Sequence, residues 1–173
     1  MKEAALHDLV AAYLATDAGL PQDERDRHIL GFTALVRGIA ARGAMTPASF
    51  AETAGLSIAE VSDFLRALAA RGVELNEDGS VVGAALTARP TSHRFRVGGR
   101  DLYAWCALDT LLLPGLLDET AEVRSTCPMS GEEICLTVTP ERVGSRRPES
   151  AVLSVVIPPA LGSDRRTGPE SPT

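Results

Sequence analysis

The chain has few aromatic residues. Of 173 positions, one is tryptophan, two are tyrosine and four are phenylalanine. A core of this size must therefore be built mostly from aliphatic side chains. Long apolar runs are also missing: no stretch of about 18 apolar residues occurs, and the expectation is that nothing spans a membrane. The start, Met1-Lys2-Glu3, leads into helical sequence carrying His7 and Asp8. It lacks the uninterrupted apolar core and small-residue cleavage site of a signal peptide. An excess of cations is absent as well, since 17 Lys and Arg face 23 Asp and Glu, a net charge of −6. Non-specific nucleic-acid binding needs clustered cations to displace counterions, so that balance counts against it. Cysteines number only three, at 106, 127 and 135. An odd number without the spacing of a secreted scaffold points to free thiols in a reducing cytoplasm.

What is present fits one ordinary domain or two small ones. Helical spacing of apolar residues predicts a helix over 2–15 and a second from about Asp23 to Ala41, stopped by Gly43. Thr46-Pro47 opens a short helix, Thr as cap and Pro in the first turn. Ser57 and Glu60 form a capping box for a further helix to Arg71, ended by Gly72. Val73–Leu75 and Val81–Gly83 flank the hairpin signal Asn76-Glu77-Asp78-Gly79. Helix, turn, helix, hairpin is the outline of a winged helix.

The character changes from about Leu86. Arg94–Val97 alternates as a strand, Gly98-Gly99 turns, and a helix is predicted over Tyr103–Leu113, capped by Asp101 and closed by Pro114-Gly115. Strands follow at Ala121–Thr126 and Ile134–Thr139, around the turn Pro128-Met129-Ser130-Gly131. The continuously apolar Ala151–Ile157 reads as a buried last strand. The fold class is thus α+β. Residues 1–85 form a helical, winged-helix-like part. Residues 86–159 form a small antiparallel-sheet part with an active-site helix, and 160–173 a disordered tail rich in Gly, Ser, Asp, Arg and Pro.

Within Tyr103-Ala104-Trp105-Cys106-Ala107-Leu108-Asp109-Thr110-Leu111, a thiol and a carboxylate stand three positions apart. On a helix such residues share a face. One is a soft sulfur ligand and the other a proton carrier, and together they suit the cutting of a carbon–metal bond. An early helical turn would favour the Cys106 thiolate. A carboxylate inside an apolar helix needs a partner or a reason. The residues alone leave a plainer alternative open, with Cys106 a small core residue and Asp109 a solvated or capping carboxylate. Tyr103 and Trp105 are either core aromatics or walls of a dry pocket around an organic group. Cys127 and Cys135 read as packing residues. A structural zinc site usually takes four ligands, and no second cysteine pair accompanies Cys127.

The stretch Leu102–Leu111 resembles the active-site motif of the organomercurial (alkylmercury) lyases. The similarity extends upstream through Leu86-Thr87, Arg89 and Thr91-Ser92. Downstream it takes in Pro114, Thr120-Ala121, Val123, Ser125, Cys127, the Gly131 turn and Leu136-Thr137-Val138. The resemblance implies a carbon–mercury lyase of mercury detoxification. Cys106 would bind mercury as thiolate and Asp109 would deliver the proton that releases a hydrocarbon. No organic cofactor is implied. The partners would be an organomercurial small molecule, cellular thiols, and a mercuric reductase accepting Hg(II). Nucleic acid and membrane are not expected as partners. The family carries a second mercury-binding cysteine in a later Phe-Cys-x-His-Val-His-like strand. This chain runs on from Ile157-Pro158-Pro159 without one and reads as a C-terminally truncated copy. Either an external thiol supplies the second sulfur, or Cys127 or Cys135 substitutes for it. The alternatives are an impaired mercury-binding remnant and a metal-responsive winged-helix DNA-binding regulator. Glu60 and Asp63 at the start of the recognition helix oppose the regulator.

Overall fold

A computed structural model of the protein describes residues 21–69 and 72–154. The predicted first helix, the end of the predicted fourth (residues 70–71), and the tail lie outside the described residues. Residues 26–153 form one compact unit. Its elements are three helices, then strands with one further helix among them.

Helix α1, Gln22–Arg42, buries Leu35, Val36 and Ile39 along one stripe. Gly31 lets the Phe64 ring lie directly on the helix, since a Cβ there would stand 2.7 Å from the ring edge. Gly43, at φ 82°, ends it as expected, its N–H returning to the Ile39 carbonyl. Helix α2 is Pro47–Ala54, capped by Thr46, whose hydroxyl accepts the Ser49 N–H at 3.1 Å. Helix α3, Ile58–Ala69, starts from the expected capping box: Glu60 Oε2 accepts the Ser57 N–H at 2.7 Å, and Ser57 Oγ accepts the Glu60 N–H at 3.3 Å. Reciprocal caps of this kind satisfy N–H groups that a helix start leaves orphaned. Val61 and Phe64 face the core.

Strand β1 (Glu74–Leu75) and β2 (Val81–Ala84) form the hairpin around the Asn76–Gly79 turn. Met45 and Val81 exchange two backbone hydrogen bonds of 2.8 Å, tying the helices to the hairpin. Ala85, at φ 59°, reverses the chain into β3, Leu86–Thr87. The 85/86 position therefore falls between two hydrogen-bonded strands. Strands β4 (His93–Val97), β5 (Arg100–Ala104), β6 (Ala121–Thr126), β7 (Glu133–Val138) and β8 (Val143–Arg147) complete the sheet, with helix α4 (Asp109–Leu117) between β5 and β6. The eight strands run β1-β2-β3-β5-β4-β6-β7-β8, every neighbour antiparallel. One face carries Phe95, Val97, Leu102, Ala104, Ala121 and Val123 into the core. The α+β class is as expected.

Three local expectations are corrected. Residues 100–104 are strand, so the helix expected over Tyr103–Leu113 does not start at Tyr103: β5 pairs with β4 on one side and, through Tyr103 and Ala104, with β3 on the other. The helix begins at Asp109, so Asp101 caps nothing and Pro114 lies inside it, with Leu113, Pro114 and Leu117 buried. Proline forfeits one helical hydrogen bond, and the buried apolar face offsets that loss. Finally, the described part of the strand expected over Ala151–Ile157, Ala151–Ser154, is not strand, and Val152 is 88% exposed; residues 155–157 lie outside the described residues. The last described strand is instead β8, whose polar sequence Val-Gly-Ser-Arg-Arg suits an edge.

Candidate active site

The Gly98-Gly99 turn returns β4 into β5 and places Ala104, the last residue of β5, opposite His93, the first of β4. The chain then leaves the sheet. The Trp105 N–H donates to the Ala85 carbonyl at 2.9 Å, Cys106 to Leu108 make a turn, and Asp109 opens α4. Asp109 Oδ2 accepts the Cys106 N–H at 3.0 Å, and Cys106 Sγ accepts the Asp109 N–H at 3.5 Å. The arrangement has the reciprocal form of a capping box with a thiol in place of the hydroxyl. Cys106 and Asp109 therefore meet through a strand-to-helix turn rather than across a helix face. Asp109 is neither solvated nor a cap of α4, whose N-cap Leu108 has no side-chain hydrogen bond; its carboxylate instead bonds the turn that precedes the helix.

The electrostatics differ from expectation. Cys106 is solvent-accessible as a residue, yet enough protein surrounds its sulfur that lost hydration raises the thiol's pKa, with the neighbouring Asp109 charge adding to the rise. The helix start does not overcome this. Asp109 is 8% exposed, and burial likewise pushes its pKa up. Both groups therefore hold their protons to higher pH than they would in water. His93 is the nearby basic group and helps the Asp109 charge. Its Nδ1 lies 2.9 Å from Ser125 Oγ, and burial lowers its own pKa. His93 was not picked out from the sequence as a site residue. The available signal was its place at an inward position, in alternation with Phe95 and Val97. Thr91 braces the same corner: its hydroxyl donates to the Ala104 carbonyl at 2.6 Å and accepts the His93 N–H at 3.0 Å.

The other expected residues lie around this turn. Tyr103 is half-buried and shares a sheet face with its register partners Thr87 and Arg94, opposite to the face of Leu102 and Ala104. Trp105 is half-buried, its indole N–H donating to Glu74 Oε1 at 2.9 Å. Cys127 follows β6, two places from β5 in the strand order, and Cys135 lies in β7, three places away. At about 4.8 Å per strand, some 10 and 14 Å of sheet separate them from the end of β5. Hydrogen bonds from the Ser130 hydroxyl and the turn backbone ease Cys127 toward thiolate. No group of three or more His, Cys, Asp or Glu among the described residues is arranged to hold a metal ion. No described helix is long and apolar enough to cross a membrane.

Residues 86–168 match the family model for alkylmercury lyase (MerB). Similar curated proteins include an alkylmercury lyase of Staphylococcus epidermidis, 49% identical over 66% of this chain and 52% of that protein. Another, from Bacillus cereus, is 41% identical over 78% of this chain and 61% of its own length. The chain thus spans just over half the length of these relatives. A solved structure, the mercury-bound form of MerB2, superposes with a TM-score of 0.62 at 29% identity, covering 81% of this chain and 67% of that one.

Proposed function

We propose that this chain, whose residues 86–168 match the alkylmercury lyase family model, cleaves carbon–mercury bonds, releasing a hydrocarbon and Hg(II). The observation that carries this reading is the reciprocal Cys106–Asp109 contact. Mercury is soft and selects thiolate over oxygen and nitrogen. An R–Hg⁺ substrate displaces the thiol proton of Cys106 and forms an S–Hg–R bond, and Asp109 takes that proton. Burial keeps the Asp109 carboxyl protonated more readily than an exposed one. Donation from sulfur raises electron density on the bound carbon. The Asp109 acid then protonates that carbon, the C–Hg bond breaks with its electron pair going to R–H, and Hg(II) stays on sulfur. Asp109 ends as the carboxylate it was before substrate arrived.

Release needs a second sulfur. Cys127 and Cys135 stand two and three strands off, so an external low-molecular-weight thiol takes the Hg(II) from Cys106 and passes it to a mercuric reductase or a thiol buffer. No resident cofactor enters the scheme, and the reducing cytoplasm supplies the thiols. The hairpin and the described helices before it, the winged-helix-like part, serve as scaffold rather than as a DNA reader. Glu60 is engaged in a cap and Asp63 pairs with Arg66 at 2.7 Å at the end that would meet phosphates.

The test is gas-phase detection of methane or benzene from methylmercury or phenylmercury, with added monothiol varied. Turnover that rises with thiol and disappears in Cys106→Ser supports the reading. One-to-one Hg(II) binding without hydrocarbon release reduces it to a binding role.

A further inference from the structure

We infer that Glu74, contributed by the hairpin outside the family-matched segment, is a positioning residue that sets the Cys106 turn by holding the Trp105 indole. The inference rests on the proposed reaction for its activity readout only. Trp105 directly precedes Cys106, and two hydrogen bonds fix it. Its backbone N–H reaches the Ala85 carbonyl, and its indole N–H reaches Glu74 Oε1, each at 2.9 Å. The second carboxylate oxygen, Oε2, accepts the Thr87 hydroxyl at 3.0 Å and faces Arg89 Nε at 3.6 Å. Both oxygens are engaged, so the carboxylate has one orientation in which every partner is satisfied.

Strand register explains how a residue 31 positions away arrives there. Glu74 pairs with Gly83, Gly83 with Thr87, and Thr87 with Tyr103, one row across β1, β2, β3 and β5. Register partners share a face, so Glu74 lies on the side from which Tyr103 projects, next to Trp105. Gly83 makes room: a Cβ there would stand 2.8 Å from the Glu74 carboxyl carbon and 2.8 Å from Oε2. The Cys106 backbone is therefore held from both sides, by Asp109 ahead and by the anchored Trp105 behind. Without Glu74 the half-buried indole N–H loses its acceptor and the ring is free to seek another rotamer. Of the two hydrogen bonds described at Trp105, the one to Ala85 then remains.

Trp105 is the protein's single tryptophan, so tryptophan emission reports the surroundings of this one ring. The experiment compares Glu74→Ala, Glu74→Gln and Gly83→Ala in a Cys127→Ser/Cys135→Ser background, where Cys106 is the remaining thiol. Emission, the rate of Cys106 alkylation by iodoacetamide, melting and hydrocarbon release are measured together. Glu74→Ala and Gly83→Ala are expected to shift the emission and change the alkylation rate. Because small misplacements of reacting groups are costly, kcat should fall by on the order of 10²-fold with KM little changed. Glu74→Gln, whose amide oxygen still accepts the indole proton, should restore most of both. Gly83→Ala displaces the carboxylate without altering either partner and decides the matter if Glu74→Ala does not fold. Unchanged emission and alkylation in a folded Gly83→Ala or Glu74→Ala overturns the inference, as does a Gln variant no better than the Ala one. If the parent releases no hydrocarbon, the proposed reaction fails, while emission and alkylation still decide the role of Glu74.

Discussion

Replacing Asp109 with asparagine separates the proton-carrying role of this side chain from its structural one. The structural part is the acceptance of the Cys106 N–H by Oδ2 at 3.0 Å. An asparagine carbonyl oxygen occupies the same place and keeps that bond. Asp109→Ala removes the acceptor, and an amide left without a partner costs about 1–3 kcal/mol, toward the lower end here because the contact is only partly buried. For a chain of this length that corresponds to a fall in Tm of about 2–4 °C per kcal/mol. The charge acts in the opposite direction. Burial raises the Asp109 pKa in the folded state. Stability linked to the group is therefore complete below the ordinary carboxylate pKa and is lost as pH rises through the folded value. At neutral pH the uncharged amide escapes that loss, so Asp109→Asn should melt no lower than the parent and above Asp109→Ala. It cannot donate a carboxylic proton, and hydrocarbon release should fall by on the order of 10²–10⁴-fold. Headspace gas chromatography and thermal melting on the same samples check both halves. An Asn variant that turns over at the parent rate, or that melts with the Ala variant, refutes the reasoning.

His93 supplies a pH signature. Burial lowers its pKa below the ordinary 6.5, so its contribution to stability is present above that value and drains away as pH falls through the folded one. The Tm drop between about pH 7 and pH 5 should be smaller in His93→Gln, and an identical slope in the two proteins contradicts this. Asp118 ends α4 at φ 59°, where it bears both left-handed strain and an unfavourable charge at the helix C-terminus. Asp118→Gly should stabilise by about 1 kcal/mol in urea unfolding, and a destabilised variant counts against the cap assignment. Ser57→Ala removes one half of the α3 capping box and should cost about 1 kcal/mol by the same measurement. Loss of nothing would mean that Glu60 caps alone.

Sequence by itself determined what depends on neighbours a few residues apart. Gly43, Thr46-Pro47 and Ser57–Glu60 placed the ends of α1, α2 and α3 because caps and stops are local hydrogen bonds and local φ angles. The strand 121–126 emerged with the bounds expected, its alternation of buried and exposed residues being complete. The nine residues from Tyr103 to Leu111 carried both the thiol and the carboxylate, and with them the family resemblance. Tertiary structure decided what depends on distant partners. Residues 100–104 became strand because β3 and β4 stood ready on either side, and that moved Cys106 from a helix face into a turn. The polar edge β8 exists only because β7 offers it a ladder of backbone groups. His93 came to Asp109 through sheet register, and Glu74 reached Trp105 across four strands in the same way. Pairing across a sheet joins residues by position in space, which local spacing along the chain does not encode.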